Sequence, residues 1–179
     1  NSGVIHAGFN VWPGSLKARS NAAGLKSIYS LASLLRVPHR KTGKLVVAFD
    51  EDGQKKLEAL RTQGERNGTP GLEIVDAAAI RNLAPEVRGK WALHSPWTGV
   101  ISPYELTIAL AESAFRNGAE VRLNREVTAV VSLTDRFVLS TSGGPVSARW
   151  AVNCAGLRSD EVAALAGSVD FRVRPYKGE

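Results

Sequence analysis

Apolar positions recur at helical spacing through Leu25, Ile28, Ala32 and Leu35, which predicts a helix over residues 15–36. Pro13-Gly14 precedes it and Pro38 follows as a stop. The short apolar run 44–49 (Lys-Leu-Val-Val-Ala-Phe) reads as a strand. Asp50 then caps a polar helix over 51–66 that ends at Asn67-Gly68. Residues 72–75 are expected to be extended, and Asp76 caps a short helix reaching Leu83 before Pro85. Residues 90–95 form another strand pattern. Ser102-Pro103 with Glu105 is a strong helix start, and Leu106, Leu110 and Ala114 are its expected buried stripe. Strand patterns follow at 120–123, 126–133, 136–141 and 146–154, with Gly143-Gly144 as a hairpin turn. The run 149–156 stops at a glycine, like a buried parallel strand entering a ligand loop. A helix over 160–165 closes at Gly167, and 171–176 alternates like a last strand. This mixture predicts an α/β or α+β fold.

Composition narrows the classes. The 179 residues are 44% hydrophobic and 22% charged, as in an ordinary globular domain with or without a subdomain. No apolar run approaches the roughly 20 residues of a membrane-spanning helix. The lone Cys154 excludes an internal disulfide framework and a cysteine-based zinc site, and no metal is expected. A reducing, cytoplasmic setting fits, with membrane association as the alternative. The net charge of +6 comes from scattered lysines and arginines, densest at 36–44 with no aromatic residue among them. With no RNA-recognition or helix-turn-helix signature, the charge reads as a solvated surface, and no nucleic-acid partner is expected.

The segment Asn1-Ser2-Gly3-Val4-Ile5-His6-Ala7-Gly8 places one histidine between two glycines. Glycine allows close approach of backbone to a ligand, and an imidazole suits general-base work near neutral pH. The plain alternative is a histidine packed in a buried loop. Cys154 reads as a small buried apolar residue rather than a nucleophile. His39 is expected to be exposed and inert, and His94 and Trp97 to serve packing. The chain opens without Met and holds none, which suggests a piece of a longer protein.

Several stretches taken in order carry a resemblance. They are Asn1–Gly8; Pro13-Gly14-Ser15-Leu16-Lys17-Ala18; Gly43-Lys44-Leu45; Ala92-Leu93-His94-Ser95-Pro96; Glu126-Val127-Thr128-Ala129-Val130; Asn153-Cys154-Ala155-Gly156-Leu157 with Ser159-Asp160; and Pro175-Tyr176-Lys177-Gly178-Glu179. Together they resemble the D-amino-acid-oxidase-like FAD-dependent oxidoreductases. Within that family they are most similar to L-2-hydroxyglutarate dehydrogenases/oxidases, and less similar to glycerol-3-phosphate dehydrogenases. The resemblance covers nearly the whole chain. The Gly-rich dinucleotide fingerprint is absent, as is the family's C-terminal part. Residues 19–24 and Val11-Trp12 depart from the family pattern, which bears on the substrate more than on the fold.

The resemblance implies a partial FAD-binding domain interleaved with an antiparallel-sheet substrate subdomain. Residues 1–43 and 113–179 would belong to the former, the second with a return strand, and 44–112 to the latter. It implies His6 as the base beside the flavin, with Ser2, Gly3 and Ala7 placing backbone N–H groups near it. Val127 would meet the adenine end through its backbone, although read cold it sits in an ordinary strand. Ala155 and Gly156 would pass the diphosphate, where a tight turn is the plain alternative. Lys177 would steady a substrate carboxylate or the reduced flavin, where a solvated lysine is the plain alternative. The implied reaction oxidises a 2-hydroxy acid, with L-2-hydroxyglutarate foremost, through FAD to oxygen, a quinone or another electron carrier. Glycerol-3-phosphate or amino-acid oxidation is the alternative within the same chemistry, and a non-catalytic structural piece is the alternative outside it. Without the Gly-rich loop, the isolated chain is expected to bind FAD weakly or not at all. An exposed sheet edge would invite self-association.

Overall fold

A computed structural model describes residues 2–168 and 170–176 and divides into two compact units, Asn1–Asn117 and Gly118–Glu179. The first unit runs β1 (Val4–Ile5), α1 (Leu16–Leu34), β2 (His39–Arg40), β3 (Lys44–Ala48), α2 (Glu51–Arg66), β4 (Glu73–Asp76), α3 (Ala77–Leu83), β5 (Trp91–Ser95), β6 (Gly99–Ile101) and α4 (Pro103–Arg116). Four helices begin at side-chain caps. Ser15 Oγ accepts from the Ala18 N–H at 3.1 Å, Asp50 Oδ1 from Gly53 at 2.7 Å, Asp76 Oδ1 from Ala79 at 2.8 Å and Ser102 Oγ from Glu105 at 3.3 Å. Each such cap stabilises its helix by about 0.5–2 kcal/mol.

Two antiparallel sheets organise this unit. In one, β5 lies between β3 and β4, with Leu93 opposite both Val46 and Ile74. In the other, β6 lies between β1 and β2, with Val100 opposite both Val4 and Arg40. Burial gathers Ile5, Ala7, Phe9, Leu25, Ala48, Leu57 and Leu93 into one core, with Leu60 and Leu72 packed against it. The amino-terminal segment therefore contributes its own apolar residues to the core, which fixes its path.

The second unit holds an antiparallel meander of β7 (Val127–Ser132), β8 (Phe137–Thr141) and β9 (Val146–Ala148). The ladder shifts register between Val127 and Ala129, so Thr128 forms a bulge. A single 3₁₀ turn, Gly156–Arg158, leads into α5 (Ser159–Leu165). The mixed helix and antiparallel-sheet character matches the expected α+β class.

Several expectations are corrected. Residues 120–123 are irregular rather than a strand, and so are 149–154 and 171–176, including the expected return strand. An apolar run needs a neighbouring ladder to become a buried strand, and no described strand of the chain lies parallel to another. Trp150 and Val152 are 83% and 84% exposed, the reverse of a buried parallel strand. Helix α4 carries no buried residue. Of its expected stripe, Leu106 is half-buried while Leu110 and Ala114 are exposed. The β3-β5-β4 sheet is covered by α2 and α3, and α4 follows β6 without joining that core. Strands β1, β2 and β6 were not anticipated.

Candidate functional site

Alternation along an extended segment decides where His6 points. Ile5 and Ala7 are 6% and 2% exposed and enter the core, so the intervening His6 faces outward. Strand β1 ends at Ile5, and the chain turns at Gly8, whose φ of +87° lies in the left-handed region. A side chain at Gly8 would also strike Asn21 Oδ1 on α1. Nearby, the Gly3 carbonyl accepts from the Ile101 N–H at 2.8 Å, while Ser2 is exposed.

The loop after His6 is held from one side by the carboxy end of α2. Thr69 Oγ1 donates to the Ala7 carbonyl at 2.8 Å. Asn67 Nδ2 donates to the Gly8 carbonyl at 3.0 Å and to Val11 at 2.8 Å. Gln63 Nε2 donates to the Phe9 carbonyl at 3.1 Å. Gly64 gives the room for this contact, because a Cβ there would stand 2.7 Å from Phe9 Cβ. None of these holding residues was identified from sequence. The one available signal was Asn67-Gly68 as a helix end, which says nothing of what the Asn67 amide reaches.

Protein packed around the His6 ring, and secondarily the ammoniums of Lys44 and Lys17, lower the His6 pKa from its ordinary value. Each disfavours the imidazolium, so the ring is a neutral proton acceptor at pH 7. Lys44 Nζ stands 5.5 Å from the Phe9 ring centroid, over the same loop. His6 is thus an outward-facing base in a positively charged setting.

A second cluster of the same unit joins α1 to the turn between β5 and β6. Tyr29 Oη donates to the Trp97 carbonyl at 2.7 Å, and the two rings meet edge-on with centroids 6.4 Å apart. Lys41 Nζ lies 3.4 Å from the Trp97 centroid and 4.9 Å from that of Tyr29. His39, expected to be exposed, is half-buried, and its Nδ1 donates to the Val37 carbonyl at 2.8 Å. The reason is local: β2 brings it under α1, within 6.0 Å of the Tyr29 ring.

In the second unit, Val127 and Ala155 line one cavity of about 810 Å³, together with Phe137, Leu139, Val152 and Cys154. That volume lies in the range of about 300–1,000 Å³ usual for small-molecule and cofactor sites. Cys154 is exposed rather than buried, because the run that carries it is not part of a sheet. Gly156 follows the lined segment with φ +59° and open space around its Cβ position. The turn is tied internally. Asn153 Oδ1 accepts from the Ala155 N–H at 3.1 Å, and Asn153 Nδ2 donates to the Ser159 carbonyl at 2.7 Å. At the rim, Arg158 Nε donates to Glu161 at 2.8 Å and Nη1 stands 3.7 Å from Glu126. Val127 belongs to β7, which pairs with β8 alone among the described strands, so its outer backbone edge is open to a ligand. Lys177 lies outside the described residues. No group of three or more His, Cys, Asp or Glu suited to a metal occurs among the described residues.

An outward histidine on a glycine-flanked loop, beside an antiparallel sheet, and a cofactor-sized cavity on a β-meander fit a nucleotide-cofactor oxidoreductase. The chain belongs to the FAD dependent oxidoreductase (DAO) family, whose profile matches residues 1–179. It is 35% identical over its whole length to a glycerol 3-phosphate dehydrogenase of Caloramator mitchellensis, covering 38% of that protein. It is 37% identical over its whole length to the mitochondrial L-2-hydroxyglutarate dehydrogenase of Caenorhabditis elegans, covering 43% of it. Among solved structures it is similar to the dithionite-reduced L-alpha-glycerophosphate oxidase from Mycoplasma pneumoniae with FAD bound. There the TM-score is 0.83 at 27% identity, over 96% of this chain and 47% of the other. The chain thus spans about two fifths of the length of the curated relatives it matches.

Proposed function

We propose that the protein acts in the FAD-dependent oxidation of an anionic 2-hydroxy compound, with L-2-hydroxyglutarate as the substrate and 2-oxoglutarate as the product. The observation that carries this reading is His6 itself: outward-facing, held on a fixed loop and kept neutral beside two lysines. FAD, when bound, would supply the acceptor for the hydride of the carbinol carbon. His6 takes the proton of the substrate hydroxyl at an imidazole nitrogen, so that loss of the proton and of the hydride leaves a ketone. Lys44 and Lys17 supply a positive field that favours an anionic substrate, and Lys177 completes the reading as the partner of a carboxylate or of the reduced flavin. Oxygen, a quinone or an electron carrier would reoxidise the cofactor. Ser2, Gly3 and Ala7 belong to its ring end, Val127 to its adenine end, and Ala155 and Gly156 to its diphosphate.

The open edge at Val127, the cavity's size and the unobstructed backbone at Gly156 fit part of such a group. The assignment of residues 1–43 and 113–179 to a flavin layer and of 44–112 to a substrate-side subdomain belongs to the same reading. Glycerol 3-phosphate is the competing substrate, since the two classes of relative match this chain at similar identity. Exposure of Trp150 and Val152 favours weak or absent FAD binding, and hence inactivity, in the isolated chain. The free edge of the β-meander is the surface on which self-association would occur. No described helix is long and apolar enough to cross a membrane, and a cytoplasmic setting is part of the proposal.

Two experiments test it. Cys154, which lines the cavity, should react readily with a thiol reagent in the chain alone and more slowly in the flavin-loaded full-length protein. Equal labelling of the full-length protein with and without its flavin refutes the cofactor assignment of this cavity. In a flavin-loaded full-length protein, anaerobic L-2-hydroxyglutarate should bleach the flavin faster than glycerol 3-phosphate does. His6→Asn should slow that step by about 10²–10⁴-fold, the usual contribution of a positioned base. The opposite substrate order would replace the substrate, and an unaffected His6→Asn protein would remove His6 from the chemistry.

A further inference from the structure

The carbonyls of three consecutive residues after His6, Ala7, Gly8 and Phe9, are all taken by side chains from the carboxy end of α2 and the residues just after it. Asn67 also takes the Val11 carbonyl, so a single amide spans the turn. The chain has no cis peptide bond among the described residues. In a trans peptide the carbonyl of one residue and the N–H of the next point in opposite directions. The N–H groups of Gly8, Phe9 and Asn10 are therefore turned away from α2 by the same contacts. The loop cannot rotate about its ends without breaking these bonds, and Ala7 and Phe9 anchor it in the core on either side of Gly8.

We infer that Gln63, Asn67 and Thr69 form a positioning clamp that holds the His6 loop in one orientation and so sets the placement and environment of the His6 ring. This rests on the proposed role of His6 for its functional meaning, but the clamp itself is a property of this chain. The three residues touch neither ring nor reactant. They act through four backbone carbonyls. Thr69 is 7% exposed and its hydroxyl bond is buried, so solvent does not compete for it. A backbone carbonyl left unpaired in such a place disfavours the clamped state.

The charged groups the ring senses are Lys44, on β3, and Lys17, in the first turn of α1. Neither ion-pairs with a carboxylate among the described residues, and neither sits on α2. The clamp can therefore be broken without removing either ammonium.

The test is a titration of the His6 ring by carbon–proton NMR in the 179-residue chain, with Thr69→Val, Thr69→Ser and Asn67→Ala. Release of the loop hydrates the ring, so Thr69→Val and Asn67→Ala should raise the His6 midpoint toward the ordinary value. The same variants should speed amide exchange at residues 7–11 by at least about tenfold, while exchange at Leu93 in the core strand β5 changes far less. Thr69→Ser keeps the hydroxyl and should restore both readouts. If Asn67→Ala fails to fold, because it also removes the residue ending α2, the Thr69 pair decides. A folded Thr69→Val chain with unchanged His6 midpoint and unchanged loop exchange overturns the clamp. Failure of the catalytic reading is seen separately: His6→Asn would leave turnover of the flavin-loaded protein intact while the clamp variants still shifted the ring.

Discussion

Gly64→Ala is the substitution on which helix propensity and packing disagree most sharply. Gly64 lies within α2 and is buried. By propensity alone, alanine there would stabilise by about 1 kcal/mol. The new Cβ would lie 2.7 Å from Phe9 Cβ and 3.1 Å from Phe9 Cα, and would strike Leu72 Cδ1 as well. Leu72 can rotate away. Phe9 cannot, since its side chain is 3% exposed in the core and its carbonyl is bound by Gln63. Overpacking of this kind costs about 1–3 kcal/mol, so the balance runs from near zero to a net loss of about 2 kcal/mol. At about 2–4 °C per kcal/mol for a chain of this size, the upper end lowers the melting temperature by about 4–8 °C. Gly24→Ala is the matched control: Gly24 is exposed within α1 and nothing lies within 4 Å of its Cβ position. That change should stabilise by about 0.5–1 kcal/mol. Urea unfolding followed by circular dichroism, with exchange of the Leu93 amide as a reporter of the first unit, reads both. A Gly64→Ala chain stabilised as much as the Gly24→Ala chain would refute the packing argument.

Two further outcomes follow from the same unit. The folded pKa of His6 lies below its unfolded value, so between the two the unfolded state binds more protons. Its contribution is complete above about pH 6.5, the unfolded value, and is lost as pH falls toward the lower folded value. Stability measured across that window should decline on acidification, and His6→Gln should flatten the decline; an unchanged slope would show that other groups carry it. Lys41→Ala removes the ammonium seated on Trp97 and Tyr29 and should cost about 0.5–1 kcal/mol. Lys41→Arg should preserve most of that stability, whereas equal losses in the two variants would assign the effect to something other than the ring contacts.

The elements legible in the sequence are those whose signals are local. Asp50, Asp76 and Ser102 each cap the helix they were expected to cap, because the cap bond closes within three residues. Strands β1, β2 and β6 were illegible for the converse reason. Two or three residues carry no period of their own, and these become strands only because Val100 has Val4 on one side and Arg40 on the other. The opposite error arose at 149–154 and 171–176. Their composition is that of strands, but a strand is a pairing, and no described neighbour supplies one. Helix α4 shows the same limit in another form: the spacing of Leu106, Leu110 and Ala114 was right for a stripe, but burial depends on what lies against it.

The candidate site divides along the same line. Val127 and Ala155 could be chosen only through the family resemblance, and they line one cavity. His6 could be chosen because histidine between glycines is chemically suggestive. What would make it a usable base is not written near it. A neutral imidazole in a fixed place requires the loop's carbonyls to be satisfied elsewhere, or the loop would turn to reach water. Those partners come from Gln63, Asn67 and Thr69, more than fifty residues along the chain. They are ordinary polar residues at and just beyond a helix end, chosen by no motif. Their identity matters because each offers a donor to a carbonyl, and Thr69→Val would take away one donor while keeping the shape. For this loop, the physical determinant of site geometry is the pairing of backbone acceptors. A chain with the same motif around His6 but apolar residues at 63, 67 and 69 should therefore place its histidine differently.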